Sequence, residues 1–194
     1  MNNYVFLAEF KNKIYSSIHR ANDKHSAFKN WLVFFINQPF VSKMQREHIL
    51  REDDPLCQIE NTCNVWRWYT IAWGKSLCVE FTDVVEFNAE DDSFIYTFLM
   101  YLDGGTYIYQ GNLIDFKSSY NQWLSYTLNA DYINDSQKRF LGRYHADIAL
   151  PIMEKTKYLN KLQLCEDGIS LMLFIVKTRI QERYSKRWSS KIDR

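Results

Sequence analysis

Side chains that could hold a metal ion are dispersed along the chain. It has four histidines and four cysteines, and no two histidines lie three or four residues apart. Cys57 and Cys63 are separated by five residues, which is wider than the two to four of zinc knuckles. These cysteines and His48 remain one possible arrangement in space, but the spacing favours no metal, and we expect no cofactor. The remaining histidines are His19, His25 and His145.

Residues for covalent or acid–base catalysis form no known motif. The chain lacks a G-x-S-x-G elbow, a P-loop and the kinase signatures. A Cys–His pair stays open, because such partners meet in space rather than in sequence. Each cysteine, Cys78 included, is better interpreted as a buried apolar side chain. The sequence therefore favours a protein that is not an enzyme.

One carboxylate interrupts an apolar strand pattern. Asp83 falls between Phe81 and Val85 on the face of a predicted strand. An inward carboxylate needs a partner or a shifted pKa, which is how ligand sites are built. A β-bulge that returns Asp83 to solvent is the alternative. Asp83 is thus the candidate for the wall of a ligand cavity.

Two groups of aromatic residues are candidates for contact with a partner. Trp66 and Trp68 share a strand face with Arg67 opposite, and Tyr107 and Tyr109 form a second same-face pair. Trp, Tyr and Arg are enriched at interface hot spots, and aromatic rings also stack on nucleic-acid bases. Large rings equally dominate protein cores, and this is the commoner role.

The C-terminal segment is basic although the chain as a whole is nearly neutral. Residues 177–194 hold seven basic and two acidic residues, which give this segment a net charge of +5. The net charge of the whole chain is +1, so residues 1–176 carry −4. Such a segment fits nucleic acid or an acidic partner, and a solvated helix is the alternative. The candidate contacts are Lys177, Arg179, Arg183, Lys186 and Arg187.

Composition places the chain among ordinary globular proteins. Of its 194 residues, 46% are hydrophobic and 24% are charged. No apolar run is long enough to span a membrane, and the N-terminus lacks the pattern of a secretory signal. We therefore expect one compact, cytoplasmic protein with reduced cysteines and no membrane span.

The spacing of apolar residues predicts helices in the first 50 residues and strands thereafter. Leu7, Phe10, Ile14 and Ile18 have helical spacing, as do Phe28 to Ile36, and residues 42–51 form a third short helix. Residues 51–55 form a boundary loop. Alternation then predicts strands over 65–73, 77–87, 94–102, 105–116, 123–132, 143–150, 160–165 and 169–177, although the last also fits a helix.

Short connections join these strands, and two of them are Asp-Gly pairs. Asp103-Gly104 and Asp167-Gly168 are typical of hairpin turns. The expected fold is α+β, with N-terminal helices packed on a strongly curved or barrel-like antiparallel β-meander. The predicted parts are a helical part over 1–55, a sheet over 56–177 and a basic helix or tail over 178–194. No internal sequence repeat is found.

Leu102 to Gly111 resembles the central hairpin of small Sm- and SH3-like barrels. The resemblance covers about a tenth of the chain and implies a hairpin, and no function is carried over from it.

Three functions follow from these features. The first is recognition of a protein partner, as by an immunity- or antitoxin-like neutraliser that acts by steric occlusion. The second is a barrel that holds a small apolar ligand. The third is nucleic-acid binding by the basic C-terminus, which would weaken steeply with salt.

Overall fold

The computed structural model describes residues 1–87, 94–111 and 115–179. The chain divides into two compact units, Met1–Val84 and Val85–Arg194. The described residues form five helices and ten strands, with antiparallel pairing and strong curvature of the sheet. This confirms the α+β class and the strongly curved antiparallel sheet. The boundary predicted near residue 55 lies inside the first unit.

The first unit is a sheet of five strands with two helices packed on one face. Its elements are β1 (Asn2–Phe10), β2 (Lys13–Ala21), α1 (Lys24–Ile36), α2 (Lys43–Ile49), β3 (Cys57–Gln58), β4 (Val65–Ala72) and β5 (Lys75–Val85). The strand order is β2-β1-β5-β4-β3. The sheet is not a meander, because β5 returns to lie beside β1. Rings from both helices and from alternate strand positions form the core.

The second unit has the same kind of sheet with three helices. Its elements are β6 (Phe94–Leu102), β7 (Gly105–Gly111), α3 (Phe116–Leu128), α4 (Asp135–Gly142), α5 (Ala146–Ile152), β8 (Glu154–Lys155), β9 (Asn160–Glu166) and β10 (Ile169–Arg179). The strand order is β7-β6-β10-β9-β8. Apolar side chains from α3, α4 and α5 cover one face.

The two units repeat one topology in one register. Each consists of a hairpin, a set of helices, a two-residue strand and a second hairpin whose last strand pairs with the first strand of the unit. Phe6 lies opposite Phe81 in the first unit, and Phe98 lies opposite Ile175 in the second. Trp68 opposite Val79 corresponds in the same way to Leu162 opposite Leu173. The fold is therefore built twice within the chain.

A constant offset in the sequence accompanies this repeat. From β1 to α2, each residue has its counterpart 92 positions later, and in the second hairpin the offset is 94. The helix caps agree: Asp23 and Asp115 accept hydrogen bonds from Ser26 N and Ser118 N at 2.9 and 2.8 Å. Ser42 with Gln45 and Asn134 with Gln137 form matching capping boxes. Tyr4, Phe6, Leu7, Trp31 and Leu32 are identical to their counterparts.

One aromatic contact anchors the first helix of each unit to its sheet. The ring of Trp31 stacks on Phe6 with centroids 5.5 Å apart and planes 6° apart. The ring of Trp123 stacks on Phe98 at the same distance with planes 2° apart. All four side chains are buried. Each pair thus removes two large apolar rings from water, which is the main source of core stability.

The helix predicted from Leu7 to Ile18 is wrong, because β1 and β2 form a hairpin there. The chain turns at Lys11 and Asn12, which have φ of 54° and 59°. These residues adopt a left-handed conformation that glycine most often provides, so this turn lacks the usual sequence mark. The helices predicted over 28–36 and 42–51 are confirmed as α1 and α2.

The strands predicted over 123–132 and 143–150 are also wrong. Residues 116–128 form α3, which buries Tyr120, Trp123, Leu124 and Thr127 at helical spacing. Residues 146–152 form α5, which buries Ala146 and Ala149. The strand predicted over 105–116 is confirmed over Gly105–Gly111, and Phe116 already belongs to α3. The apolar pattern of α3 fits both a strand and a helix, and the side-chain cap at Asp115 favours the helix.

The other predicted strands are confirmed, and both Asp-Gly pairs form hairpin turns. β10 extends to Arg179, so a helix does not begin at Thr178. The remainder of the predicted basic helix, from residue 180, lies outside the described residues. Among the helices of the described ranges, none is long and apolar enough to cross a membrane.

Candidate functional site

The tryptophans of the predicted Trp-Arg-Trp motif lie in the core of the first unit. Trp66 and Trp68 are buried on the helix-covered face of β4, where Trp66 contacts Phe81 and Trp68 contacts Phe28. Arg67 lies on the opposite face and donates hydrogen bonds to Glu80. The two tryptophan rings are therefore not on the surface that a partner would meet.

Tyr107 and Tyr109, the second predicted pair, are part of a cluster of four tyrosines. Tyr107 stacks on Tyr132 with centroids 4.6 Å apart and planes 12° apart. Tyr109 packs against Tyr126 at 5.0 Å. Tyr126 belongs to α3, and Tyr132 lies in the loop between α3 and α4. We call these four residues the tyrosine patch.

The patch offers both apolar rings and polar hydroxyl groups to solvent. Tyr126 is 55% exposed and Tyr132 is 47% exposed, whereas Tyr107 and Tyr109 are half-buried beside them. Among the described residues, no side chain or backbone group forms a hydrogen bond with the four hydroxyl groups. Rings held at an edge strand with free hydroxyl tips resemble the anchor residues of protein interfaces.

The hydroxyl groups of Tyr109 and Tyr132 hold their protons more tightly than an ordinary tyrosine does, because their pKa values are raised. Burial raises the pKa of Tyr109, and the neighbouring Tyr126 hydroxyl raises it further. Burial likewise raises the pKa of Tyr132, with further contributions from Tyr126 and Tyr107. A neutral phenol both donates and accepts a hydrogen bond. The patch is thus suited to recognition rather than to proton abstraction.

The first unit shows which part of this patch the fold itself requires. The counterparts of Tyr107 and Tyr132 are Tyr15 and Phe40, which stack in the same way at 4.2 Å. The counterparts of Tyr126 and Tyr109 are Phe34 and Ser17. Ring stacking between the edge strand and the loop therefore belongs to the fold. The hydroxyl groups of Tyr126 and Tyr132, and the ring of Tyr109, are additions of the second unit.

Sequence reasoning found half of the patch. It paired Tyr107 with Tyr109 because both lie on one strand face, but it missed Tyr126 and Tyr132, which it assigned to a strand. The available signal was the repeat itself. Aligning Asp23, Ser26 and Trp31 with Asp115, Ser118 and Trp123 identifies α3 and places Tyr126 over β7.

A second exposed surface continues from Arg67 along β4. Tyr69, Ile71 and Trp73 are 48%, 54% and 61% exposed, and Tyr69 and Ile71 lie on the sheet face opposite the helices. We call these three residues the β4 row. Their counterparts at the end of β9 are Gln163, Cys165 and Asp167, which are polar or small. The fold therefore does not require large apolar side chains at these positions.

Asp83 is buried in β5. Two open clefts of about 390 and 380 Å³ lie among the described residues, and Asp83 lines neither. The larger cleft is lined by Ser136, Arg139, Phe140, Arg143, Asp167 and Ile169. Its rim is closed by ion pairs of Arg143 with Glu166 at 3.6 Å and with Asp167 at 2.9 Å. The prediction of a ligand cavity beside Asp83 gains no support from these clefts.

The basic candidates divide between the interior and the end of the described chain. Lys177 is buried, with its Nζ 4.0 Å from the centroid of the Phe94 ring, a cation–π contact. Arg179 is exposed at the end of β10. Arg183, Lys186 and Arg187 lie outside the described residues. The described part of the chain thus contributes Arg179 alone to an exposed basic surface in this segment.

Within the described ranges, no three histidine, cysteine or acidic side chains gather as they would around a metal ion. His48 pairs with Glu52 at 3.0 Å. The four cysteines form no disulfide; Cys57 and Cys165 are exposed, Cys63 is buried and Cys78 is intermediate. The expectation that all four cysteines are buried is therefore confirmed for Cys63 and wrong for Cys57 and Cys165, and Cys78 is only partly buried.

The Cys78 thiol is expected to react slowly with alkylating reagents. Burial, followed by the Glu80 charge, raises its pKa to about 11. Since the thiolate is the nucleophile, a two-unit shift lowers the rate near neutral pH about 100-fold relative to an ordinary thiol. Timed iodoacetamide labelling with peptide mass mapping should modify Cys57 and Cys165 well before Cys78. Equal labelling of Cys78 at pH 8 would contradict this.

The comparisons with known proteins leave the function to be argued from these surfaces. No protein-family model matches the chain, and neither the curated proteins nor the solved structures gave a significant match.

Proposed function

We propose that this is a cytoplasmic binding protein that recognises a protein partner through the tyrosine patch. The observation that carries the proposal is that the second unit has exposed or half-buried tyrosines where the first unit has other residues. Positions that hold Ser17, Phe34 and Phe40 in the first unit hold Tyr109, Tyr126 and Tyr132 in the second. The stack between Tyr15 and Phe40 shows that ring packing at this place does not need the hydroxyl group of Tyr132.

The chemistry of the patch favours a protein over other partners. Tyrosine supplies a large, rigid contact area and one polar tip at a low cost in side-chain entropy. The four rings offer no charge, whereas nucleic-acid binding depends on cations that neutralise phosphates. Coverage of a partner's surface by such a patch would act by steric occlusion, as expected of an immunity- or antitoxin-like neutraliser.

Loss of two hydroxyl groups is expected to weaken the complex about tenfold or more. Tyr126→Phe with Tyr132→Phe restores the residues of the first unit, so stability should be unchanged. Each hydrogen bond lost costs about 1 kcal/mol, and 1.4 kcal/mol is tenfold in affinity. The partner is first identified by native mass spectrometry of the protein purified gently from its own host. It is then produced separately, and titration calorimetry compares the variants.

Tyr15→Phe is the matched control, since it removes the hydroxyl group at the counterpart of Tyr107. It should leave the affinity of the purified complex unchanged. The proposal fails if the chain purifies without a stoichiometric protein companion. It also fails if the companion binds the Tyr126→Phe, Tyr132→Phe variant and a Tyr126→Ala variant as tightly as the original chain.

A further inference from the structure

Among the described strands, none covers the edge of β4 beside the β4 row. β3 pairs with β4 only at Trp66 and Arg67, and β5 is its other neighbour. The backbone oxygen of Val65 accepts a hydrogen bond from Ile59 N on the β3 side at 2.9 Å. Every second residue of a strand directs its backbone N–H and C=O groups to the same side. Tyr69 and Ile71 therefore direct theirs to the β3 side of β4, as Val65 does. No described strand pairs with them there.

The equivalent edge of β9 carries the protection that β4 lacks. Lys161, Glu166 and Asp167 place charges on it, and Arg143 and the Tyr144 hydroxyl bind its end. Charges and covering side chains are the usual means by which proteins keep an edge strand from pairing. From Trp68 to Gly74, in contrast, the β4 segment has no charged residue. An apolar edge without these features is a site for strand addition.

We propose that a second copy of this chain adds its own β4 to this edge, forming an antiparallel dimer about a twofold axis. Centred on Thr70, the pairing sets Tyr69 of each copy opposite Ile71 of the other. Both residues direct their backbone groups outward, so each pair exchanges two hydrogen bonds. An aromatic residue opposite a β-branched residue is a favourable cross-strand pair.

A second copy is the expected partner because the edge of β4 can pair with the same edge of another chain. A twofold interface brings the same surface from both subunits together, so it tolerates no unbalanced charge. The uncharged segment from Trp68 to Gly74 meets this condition, whereas the edge of β9 carries Lys161, Glu166 and Asp167, and Arg143 is paired with the last two. β3 occupies the edge at Trp66 and Arg67 and so fixes where the added strand must end.

The test is the concentration dependence of mass in analytical ultracentrifugation of the full chain. We expect a dimer that dissociates in the micromolar range. Ile71→Lys should give a monomer at every concentration, because it places a charge opposite Tyr69. Cys165→Lys is the matched control: it makes the same change at the counterpart in β9, also exposed, and should leave the dimer intact.

A backbone variant separates strand pairing from side-chain contact. Ile71→Pro removes an N–H that points away from β5, so it should abolish the dimer without breaking the β4–β5 pairing. Ile71→Val keeps the N–H and should dimerise. A chain that is monomeric throughout overturns the proposal, as does a dimer that survives both Ile71→Lys and Ile71→Pro. If the backbone amides of β4 are protected from hydrogen exchange only when another protein is bound, that protein is the partner of this edge. That result would also overturn the proposal.

Discussion

Trp123→Ala is expected to lower the free energy of unfolding by about 3–5 kcal/mol, and Trp31→Ala by a similar amount. Each tryptophan is buried and stacks on the phenylalanine at the equivalent position of its own sheet. Removal of the indole loses the transfer free energy of the ring and leaves a cavity beside Phe98 or Phe6. Urea unfolding followed by far-UV circular dichroism measures the change without relying on tryptophan emission.

Controls on the same helices separate this effect from a general sensitivity to alanine. Val33 and Ser125 are exposed counterparts two residues after the tryptophans. Val33→Ala and Ser125→Ala should change stability by less than about 0.5 kcal/mol, as surface substitutions usually do. If Trp31→Ala and Trp123→Ala were no worse than these controls, the stacked pairs would not be the anchors of the two units.

The hairpins were the part of the fold that could be predicted from sequence. Apolar patterns identified β4, β5, β6, β9 and β10. β4 and β9 bury one period-two face, whereas β6 has apolar residues on both faces and is buried on both. Asp103-Gly104 and Asp167-Gly168 marked turns whose four residues all have positive φ. Such turns need residues that tolerate this conformation, so they leave a local signal. The Lys11-Asn12 turn uses residues that give a weaker signal, and the first hairpin was mistaken for a helix.

The repeat escaped prediction because it is conserved in geometry more than in residue type. Its most exact features are strand register and strand order, which are tertiary properties. The residues that persist are helix caps and core rings such as Asp23, Trp31 and their counterparts. Without the repeat, α3 has an apolar pattern that fits both a strand and a helix, and Tyr126 and Tyr132 could not be placed beside Tyr107 and Tyr109.

Arg67→Met is expected to cost about 3 kcal/mol of stability at neutral pH, because it removes the guanidinium that donates hydrogen bonds to a buried carboxylate. Glu80 is 1% exposed, and its Oε1 accepts hydrogen bonds from Arg67 Nε and Nη2 at 3.1 and 2.5 Å. Urea unfolding at neutral pH measures the change.

The second unit shows that this fold has no need of the ion pair itself. The counterparts of Arg67 and Glu80 are Lys161 and Phe174, and Phe174 is buried at the position of the carboxylate. Replacement of both partners by apolar residues is often neutral, because the cost of burying two charges disappears with them. Arg67→Met with Glu80→Met should therefore lie within about 1 kcal/mol of the original stability. A double variant as unstable as Arg67→Met alone would show that the arginine stabilises β4 by packing rather than by charge.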